Sequence, residues 1–272
     1  MSLDEKYRCL QQLLARFDSV AVAFSGGVDS TLLVKVAGDT LPPGKVLALT
    51  ARSPIFPTRE IADSSTLAAA LGIPQQFVTT NQLELPAFVA NDPMRCYHCK
   101  LHLLALLEET ARAAGYTTLV DGSNQDDLSD YRPGQTALEE LKIRSPLLEA
   151  GFTKADVREL SRHLGLPNWD KPALPCLATR IPYGEHIEET LLQRIERCED
   201  WLTTHEITGC RVRCHGNLAR LEVAPELMPR LLEEPLRNTL LSFFRENGFD
   251  YITLDLQGYR CGSMNEPLSE RQ

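Results

Sequence analysis

Four short apolar runs, each separated from the next by a stretch of helical periodicity, limit what the first two thirds of the chain can become. A helix is expected near Asp4 to Phe17, then SVAVAF, a helix from Asp29, and KVLALT. A helix near Thr58 to Leu71, the run QQFVTT, a helix near Cys99 to Ala114 and TTLVDG follow. Such alternation predicts an α/β fold in which a parallel sheet carries helices on both faces. TKADVRELSRHLG continues the pattern as a further helix, with Thr153 as N-cap and Gly165 at its stop.

A proline-punctuated segment, GLPNWDKPALPCLATRIPYG, breaks the rhythm, and the domain boundary is expected there, giving domains 1–183 and 184–272. Beyond it come a long helix near His186 to His205 and two strands, GCRVRCH and LARLEVA, joined through His215-Gly216-Asn217. A helix to about Gly248 and the strand YITLDL complete a small α+β domain, expected to serve substrate binding or oligomerisation.

With 272 residues, 43% of them hydrophobic, the chain can bury a core for one large and one small domain. A formal charge of −9 with no lysine or arginine run disfavours nucleic acid, because the long-range field repels a polyanion. The opening MSLDEKYRCLQQ lacks the apolar run of a secretory signal, and no stretch reaches the roughly 20 apolar residues of a spanning helix. A cytoplasmic protein with no membrane partner is expected. Eight cysteines in that setting point to thiols, a metal or catalysis rather than a disulfide framework.

The strand SVAVAF runs straight into Ser25-Gly26-Gly27-Val28-Asp29-Ser30 and then a helix. Adjacent glycines let the backbone turn tightly and aim N–H groups inward, while Ser25, Ser30 and Thr31 add hydroxyls at the positive end of a helix. The loop lacks the lysine of a Walker A motif and the spacing of a dinucleotide fingerprint. Taken as an isolated Gly-Gly, it reads first as a plain strand-to-helix turn capped by Asp29. String, strand and helix together resemble the PP-loop ATP-pyrophosphatases, which split ATP into AMP and pyrophosphate while adenylating a substrate.

Ligands in parallel sheets gather at the carboxyl ends of strands. Thr50, Arg52 and Ser53, after KVLALT, are therefore candidates for adenine, ribose or phosphate. Asp121 and Gly122 open the loop DGSNQDDLSDYRPG, where Asp127 and Arg132 are further candidates, and one or two carboxylates are expected either to hold Mg²⁺ through water or to sit in a solvated turn.

Cys176 lies in a proline-stiffened loop with Lys171 and Arg180 close in sequence, and such cations favour the nucleophilic thiolate. Cys96 and Cys99, in RCYHCK, sit just ahead of an amphipathic helix with the spacing of a metal or cluster site. Cys176 is the leading third ligand, His98 a weaker one, and a thioredoxin-like redox pair is the rival. Cys9, Cys198, Cys210, Cys214 and Cys261 read as packing or exposed residues.

SGGVDS, RCYHCK, DGSNQDDLSDYRPG, NWDKPALPCLATRIPYGEHI, RVRCHGNLARLEV and YITLDLQGYRCGSMN together resemble the LarE family of ATP-dependent sulfur transferases, over nearly the whole chain. The resemblance implies a PP-loop domain, a small C-terminal domain, a homo-oligomer that is often a hexamer, and a role in assembling the nickel-pincer nucleotide of lactate racemase. Its small-molecule substrate is a pyridinium-3,5-dicarboxylate mononucleotide. Carried onto this chain, Ser25 to Ser30 hold the phosphates of ATP with Mg²⁺, a substrate carboxylate is adenylated, and sulfur displaces AMP. In one branch the cysteine matching Cys176 is sacrificed to dehydroalanine; in another, three cysteines ligate a [4Fe-4S] cluster. Cys96, Cys99 and Cys176 favour the cluster branch. Arg211, Arg213 and Glu222, with Arg180, are candidates for the anionic substrate, and a solvated outer face is the alternative reading of the strand arginines. A tRNA thiolation enzyme and an ATP-binding regulatory module that never cleaves ATP remain the competing functions.

Overall fold

The computed structural model describes residues 1–128, 134–172, 175–260 and 263–265. Two compact units divide the chain, Met1–Gln82 with Pro93–Leu174, and Leu83–Asp92 with Pro175–Gln272. The division falls at 174/175 rather than the expected 183/184, and a short earlier segment joins the second unit.

In the first unit the order is α1 (Leu3–Leu14), β1 (Val20–Ala23), α2 (Val28–Thr40), β2 (Val46–Arg52), α3 (Thr58–Ala70) and β3 (Gln75–Thr79). After α4 (Pro86–Val89), which belongs to the second unit, come α5 (Arg95–Ala113), β4 (Thr118–Val120), α6 (Gly134–Glu140), α7 (Pro146–Glu149) and α8 (Lys154–His163). The four strands pair in parallel in the order β3-β2-β1-β4, the PP-loop type of sheet.

Strand alternation divides the buried side chains between two layers. Val20 and Val22 face one core with Leu32, Leu33 and Val36 of α2 and Val157 and Leu160 of α8. Ala21, Leu47 and Leu49 face the other, with Leu104 and Leu107 of α5. The expected N-cap of α8 is present as a reciprocal capping box between Thr153 and Asp156, and Gly165 follows with φ of 70°. Chain order reverses between β1 and its two neighbours, so the loops after β1 and β4 open beside each other at the strands' carboxyl ends, where such sheets bind ligands.

The second unit contains α9 (Glu189–Thr204), β5 (Arg211–His215), β6 (Leu218–Glu222), α10 (Met228–Leu232), α11 (Leu236–Glu246) and β7 (Tyr251–Leu254). β5 and β6 pair antiparallel, β6 and β7 parallel. Leu192, Ile195, Cys198 and Leu202 form the apolar stripe of α9 and are fully buried. Asn91, at φ of 55°, ties the Leu83–Asp92 segment into this unit: its amide donates to Pro182 O and Glu185 O, both at 2.8 Å. Backbone bonds from Gly184 N to Asn91 O and Ile187 N to Val89 O complete the attachment.

Candidate active site

The loop between β1 and α2 turns at Gly26, whose φ of 74° lies in the left-handed region that favours glycine. A Cβ there would also come within 3.1 Å of Ser64, so tight packing adds to the constraint. Gly27 is the N-cap of α2 and has no side chain to cap it, which leaves the first amides of the helix directed at the mouth of the loop. Ser25 Oγ and Ser30 Oγ lie 3.3 Å apart at that mouth, and Ser30 Oγ also donates to Gly27 O at 3.1 Å. Ser25, Gly26, Gly27 and Ser30 thus gather backbone amides and two hydroxyls into one cradle, with the Asp29 carboxylate beside it.

Gly122, from the loop after β4, presses against this cradle. Its Cβ would sit 3.0 Å from Ser30 N and 3.2 Å from Asp29 C, too close for any larger residue without displacing the start of α2. The same loop supplies Asn124, whose Nδ2 donates to Asp29 Oδ1 at 3.0 Å, while Lys154 Nζ pairs with Asp29 Oδ2. Asn124 and Lys154 escaped the sequence reading, because nothing local distinguishes an asparagine in a loop or a lysine at a helix start from ordinary surface residues.

The acidic loop is more occupied than its composition suggests. Asp127 Oδ2 accepts from Asn124 N at 2.9 Å, and Asp126 Oδ2 accepts from Lys154 N at 2.8 Å, adding to the cap of α8. Asp121 accepts from Ser145 Oγ at 2.5 Å and Ser123 Oγ at 2.7 Å, with Lys100 Nζ at 3.6 Å. Carboxylate oxygens are hard donors of the kind Mg²⁺ prefers, and in this structure those of Asp29 and Asp121 are engaged by protein donors. Arg132 lies outside the described residues.

Of the candidates after β2, Thr50 donates its hydroxyl to Phe24 O at 2.7 Å and accepts from Gln75 Nε2 at 2.8 Å, so its donor is already used inside the sheet. Arg52 stacks over the Phe77 ring at 3.5 Å. Ser53 donates to Gln82 Oε1 and is buried.

Cys96 and Cys99 stand within the first turn and a half of α5 rather than ahead of it, since that helix begins at Arg95. Three residues apart on one helix, they share a face. Cys96 is exposed and Cys99 half-buried. Thiols in this arrangement fit a thiophilic metal or cluster in part; among the described residues no three His, Cys, Asp or Glu side chains converge on one point. Lys171, expected beside Cys176, belongs to the first unit and pairs with Glu60 at 3.0 Å and Asp63 at 2.9 Å.

Cys176, half-buried, precedes a short turn Leu177–Arg180 in the second unit. Arg180 is fully buried, and each of its three guanidinium nitrogens donates within the protein. Nε and NH2 grip Glu199 at 2.9 and 2.8 Å, while NH1 reaches Pro175 O at 2.8 Å and Cys176 O at 3.2 Å. Burial alone would raise the Glu199 carboxyl; the charge and bonds of Arg180, with the N–H of Val212, outweigh it and hold that carboxyl below its ordinary value.

The face of β5 carrying Arg211 and Arg213 is no solvated surface, for the two residues are 1% and 4% exposed. Arg213 donates to Glu222 Oε2 at 2.7 Å, Ser263 Oγ at 3.0 Å and Thr179 O at 3.0 Å. Arg211 donates to Cys210 O at 2.7 Å and lies over the Tyr259 ring at 4.8 Å. Burial and the neighbouring charge of Arg180 lower its affinity for its proton. Arg220 joins Glu222 at 3.2 Å. Among the described residues five arginines, Arg180, Arg211, Arg213, Arg220 and Arg260, stand with Glu199, Glu222 and Asp255, a local surplus of positive charge suited to an anion.

No family model matches the chain. A relative from Synechocystis sp., itself uncharacterized, is 44% identical over 98% of this chain and 100% of its own length. The pyridinium-3,5-bisthiocarboxylic acid mononucleotide synthase of Lactiplantibacillus plantarum is 36% identical over 100% of this chain and 98% of its own length. The chain belongs to the LarE family. A more distant likeness, 27% identity over 66% of this chain and 65% of the relative, links the chain to the NH₃-dependent NAD⁺ synthetase of Hyperthermus butylicus and agrees with the PP-loop sheet. As a LarE-family protein it is an ATP-dependent enzyme. Among its described residues, no helix is long and apolar enough to cross a membrane.

Proposed function

We propose that the protein uses ATP to adenylate the carboxylates of a pyridinium-3,5-dicarboxylate mononucleotide and replaces the bound AMP with sulfur, giving thiocarboxylates for a nickel-pincer cofactor. Full-length identity of 36% to a synthase named for the bisthiocarboxylic acid product carries this reading. The cradle at Ser25 to Ser30 supports it as the holder of the ATP phosphates, and the buried Arg211, Arg213 and Glu222 group supports it as the receiver of an anionic substrate. Electrophile and leaving group follow from the chemistry: a carboxylate oxygen bonds the α-phosphorus, pyrophosphate departs, and a sulfur nucleophile then expels AMP from the acyl-adenylate.

Sulfur is proposed to come through thiolates of Cys96, Cys99 and Cys176, which would ligate a [4Fe-4S] cluster, with sacrifice of Cys176 as the other route. Such a cluster, when bound, would supply an iron site able to carry an exogenous sulfide. The exposed Cys96 and its neighbour Cys99 one turn on support the first route, because a protein that merely consumed Cys176 needs neither. A cytoplasmic, oligomeric enzyme completes the proposal, on the family resemblance.

Two measurements test it. Purified protein given the dicarboxylate mononucleotide and Mg-ATP should release pyrophosphate only when both are present; substrate-independent release, or none, removes the adenylation step. Protein prepared without oxygen should carry iron and acid-labile sulfide, and Cys96→Ser should lower both. Iron-free protein that loses about 34 Da at Cys176 per sulfur transferred, the mass of eliminated H₂S, would establish sacrifice instead.

A further inference from the structure

The amide of Asn168 reaches the phosphate loop from a part of the chain far removed in sequence. It lies in the turn after α8, where Leu166 is anchored in the core and Lys171 N donates to Asn168 O at 3.1 Å. Asn168 is 8% exposed, and its Nδ2 donates twice, to Gly26 O and to Thr31 Oγ1, both at 3.0 Å. Thr31 Oγ1 in turn donates to Gly27 O at 2.8 Å. One amide therefore holds the carbonyl of Gly26 directly and that of Gly27 through a relay.

The orientation of the amide is fixed by what its partners can do. Gly26 O accepts only, and the proton of Thr31 Oγ1 is committed to Gly27, so both sites facing Asn168 call for donors. Turning the amide over would set oxygen against oxygen. The cost is visible at the other end, where Oδ1 is buried with no hydrogen-bond partner among the described residues. Buried polar atoms in native proteins are rarely left so, and this one persists because both N–H donors are taken by the loop.

We infer that Asn168 is a positioning residue of the phosphate loop, acting through the backbone of Gly26 and Gly27 rather than on the nucleotide. A peptide unit is planar, so its C=O and N–H point in opposite directions. Drawing the Gly26 carbonyl towards Asn168 turns the N–H of Gly27 away from it, and holding the Gly27 carbonyl does the same for the N–H of Val28. Gly27 O is held as well by Thr31 N at 3.0 Å and Ser30 Oγ at 3.1 Å, so what Asn168 adds by itself is the hold on Gly26 O, at a residue whose backbone region glycine enters with little intrinsic preference. The inference rests on the reading of this loop as the holder of the ATP phosphates.

The test is isothermal titration of the full chain with Mg²⁺ and α,β-methylene-ATP, and separately with adenosine. Asn168→Asp keeps shape but sets an acceptor against Gly26 O; it should weaken the triphosphate analogue at least about tenfold while leaving adenosine within about twofold. Thr31→Val, which removes the relay, should weaken the analogue as well, and Thr31→Ser, which keeps the hydroxyl, should bind like the wild type. If Asn168→Asp does not fold, the Thr31 pair decides. Equal loss for analogue and adenosine would mean a general structural effect, and unchanged affinity in either damaged variant would mean the loop needs no anchor; both overturn the inference. Wild-type protein that binds no analogue would instead defeat the ATP reading itself, and the inference with it.

Discussion

Replacing Glu199 by glutamine should destabilise the second unit more than any surface change there. In the wild type its carboxylate receives Arg180 Nε at 2.9 Å, Arg180 NH2 at 2.8 Å and Val212 N at 2.9 Å, with the two side chains 0% and 2% exposed. Glutamine keeps the shape, removes the negative charge and turns an N–H₂ group towards at least one of these donors. A guanidinium buried without its anion costs about 3–5 kcal/mol. For a chain of this length that corresponds to a fall in Tm of roughly 6–20 °C, at about 2–4 °C per kcal/mol. Trp201 stands on α9 two residues beyond Glu199, so its fluorescence, in a Trp169→Phe background, would report the unit concerned.

The pH dependence gives an independent check. Glu199 is held below its ordinary value in the folded protein, so its contribution is complete above the unfolded-state value of about 4.3 and is lost as pH falls towards and through the folded one. Wild type and variant should differ fully at pH 7 and converge in acid. A loss under about 1 kcal/mol at pH 7, or a gap that persists unchanged into acid, would refute the claim that an ionised buried pair anchors the Cys176 loop.

Other consequences are more local. Gly122→Ala, whose Cβ would lie 3.0 Å from Ser30 N, should cost about 1–3 kcal/mol by overpacking and reduce pyrophosphate release; wild-type activity and Tm would show that the loop yields freely. Iodoacetamide at pH 8 should label exposed Cys96 and spare Cys198, which is buried and whose thiol is pushed up to about 12 by that burial; a native-state adduct on Cys198, found by peptide mass analysis, would contradict this packing. Thr153→Ala breaks the capping box of α8 and should lower stability by about 1 kcal/mol in urea unfolding with an unchanged slope, while an unaltered midpoint would deny the cap its role.

What the amino-acid sequence determined by itself was everything whose cause is local. Apolar runs of strand length, helical periodicity, the glycine pair after β1 and the Thr153 cap each act within a few residues, so the parallel sheet and the loop at its edge are legible without coordinates. Even here the local signal erred at one end, for the helix expected from Cys99 begins at Arg95 and takes the CxxC pair into itself. Tertiary structure alone decided the rest. Asn168 meets Gly26 across 142 positions, Lys154 meets Asp29 across 125, and Asn91 binds Glu185 across 94. Alternation along β5 placed Arg211 and Arg213 on one face, but whether water or protein covers that face depends on Thr179, Glu222 and Ser263 arriving from elsewhere in the chain. Burial of a charge is a property of the surroundings, and those are assembled only when distant segments fold together.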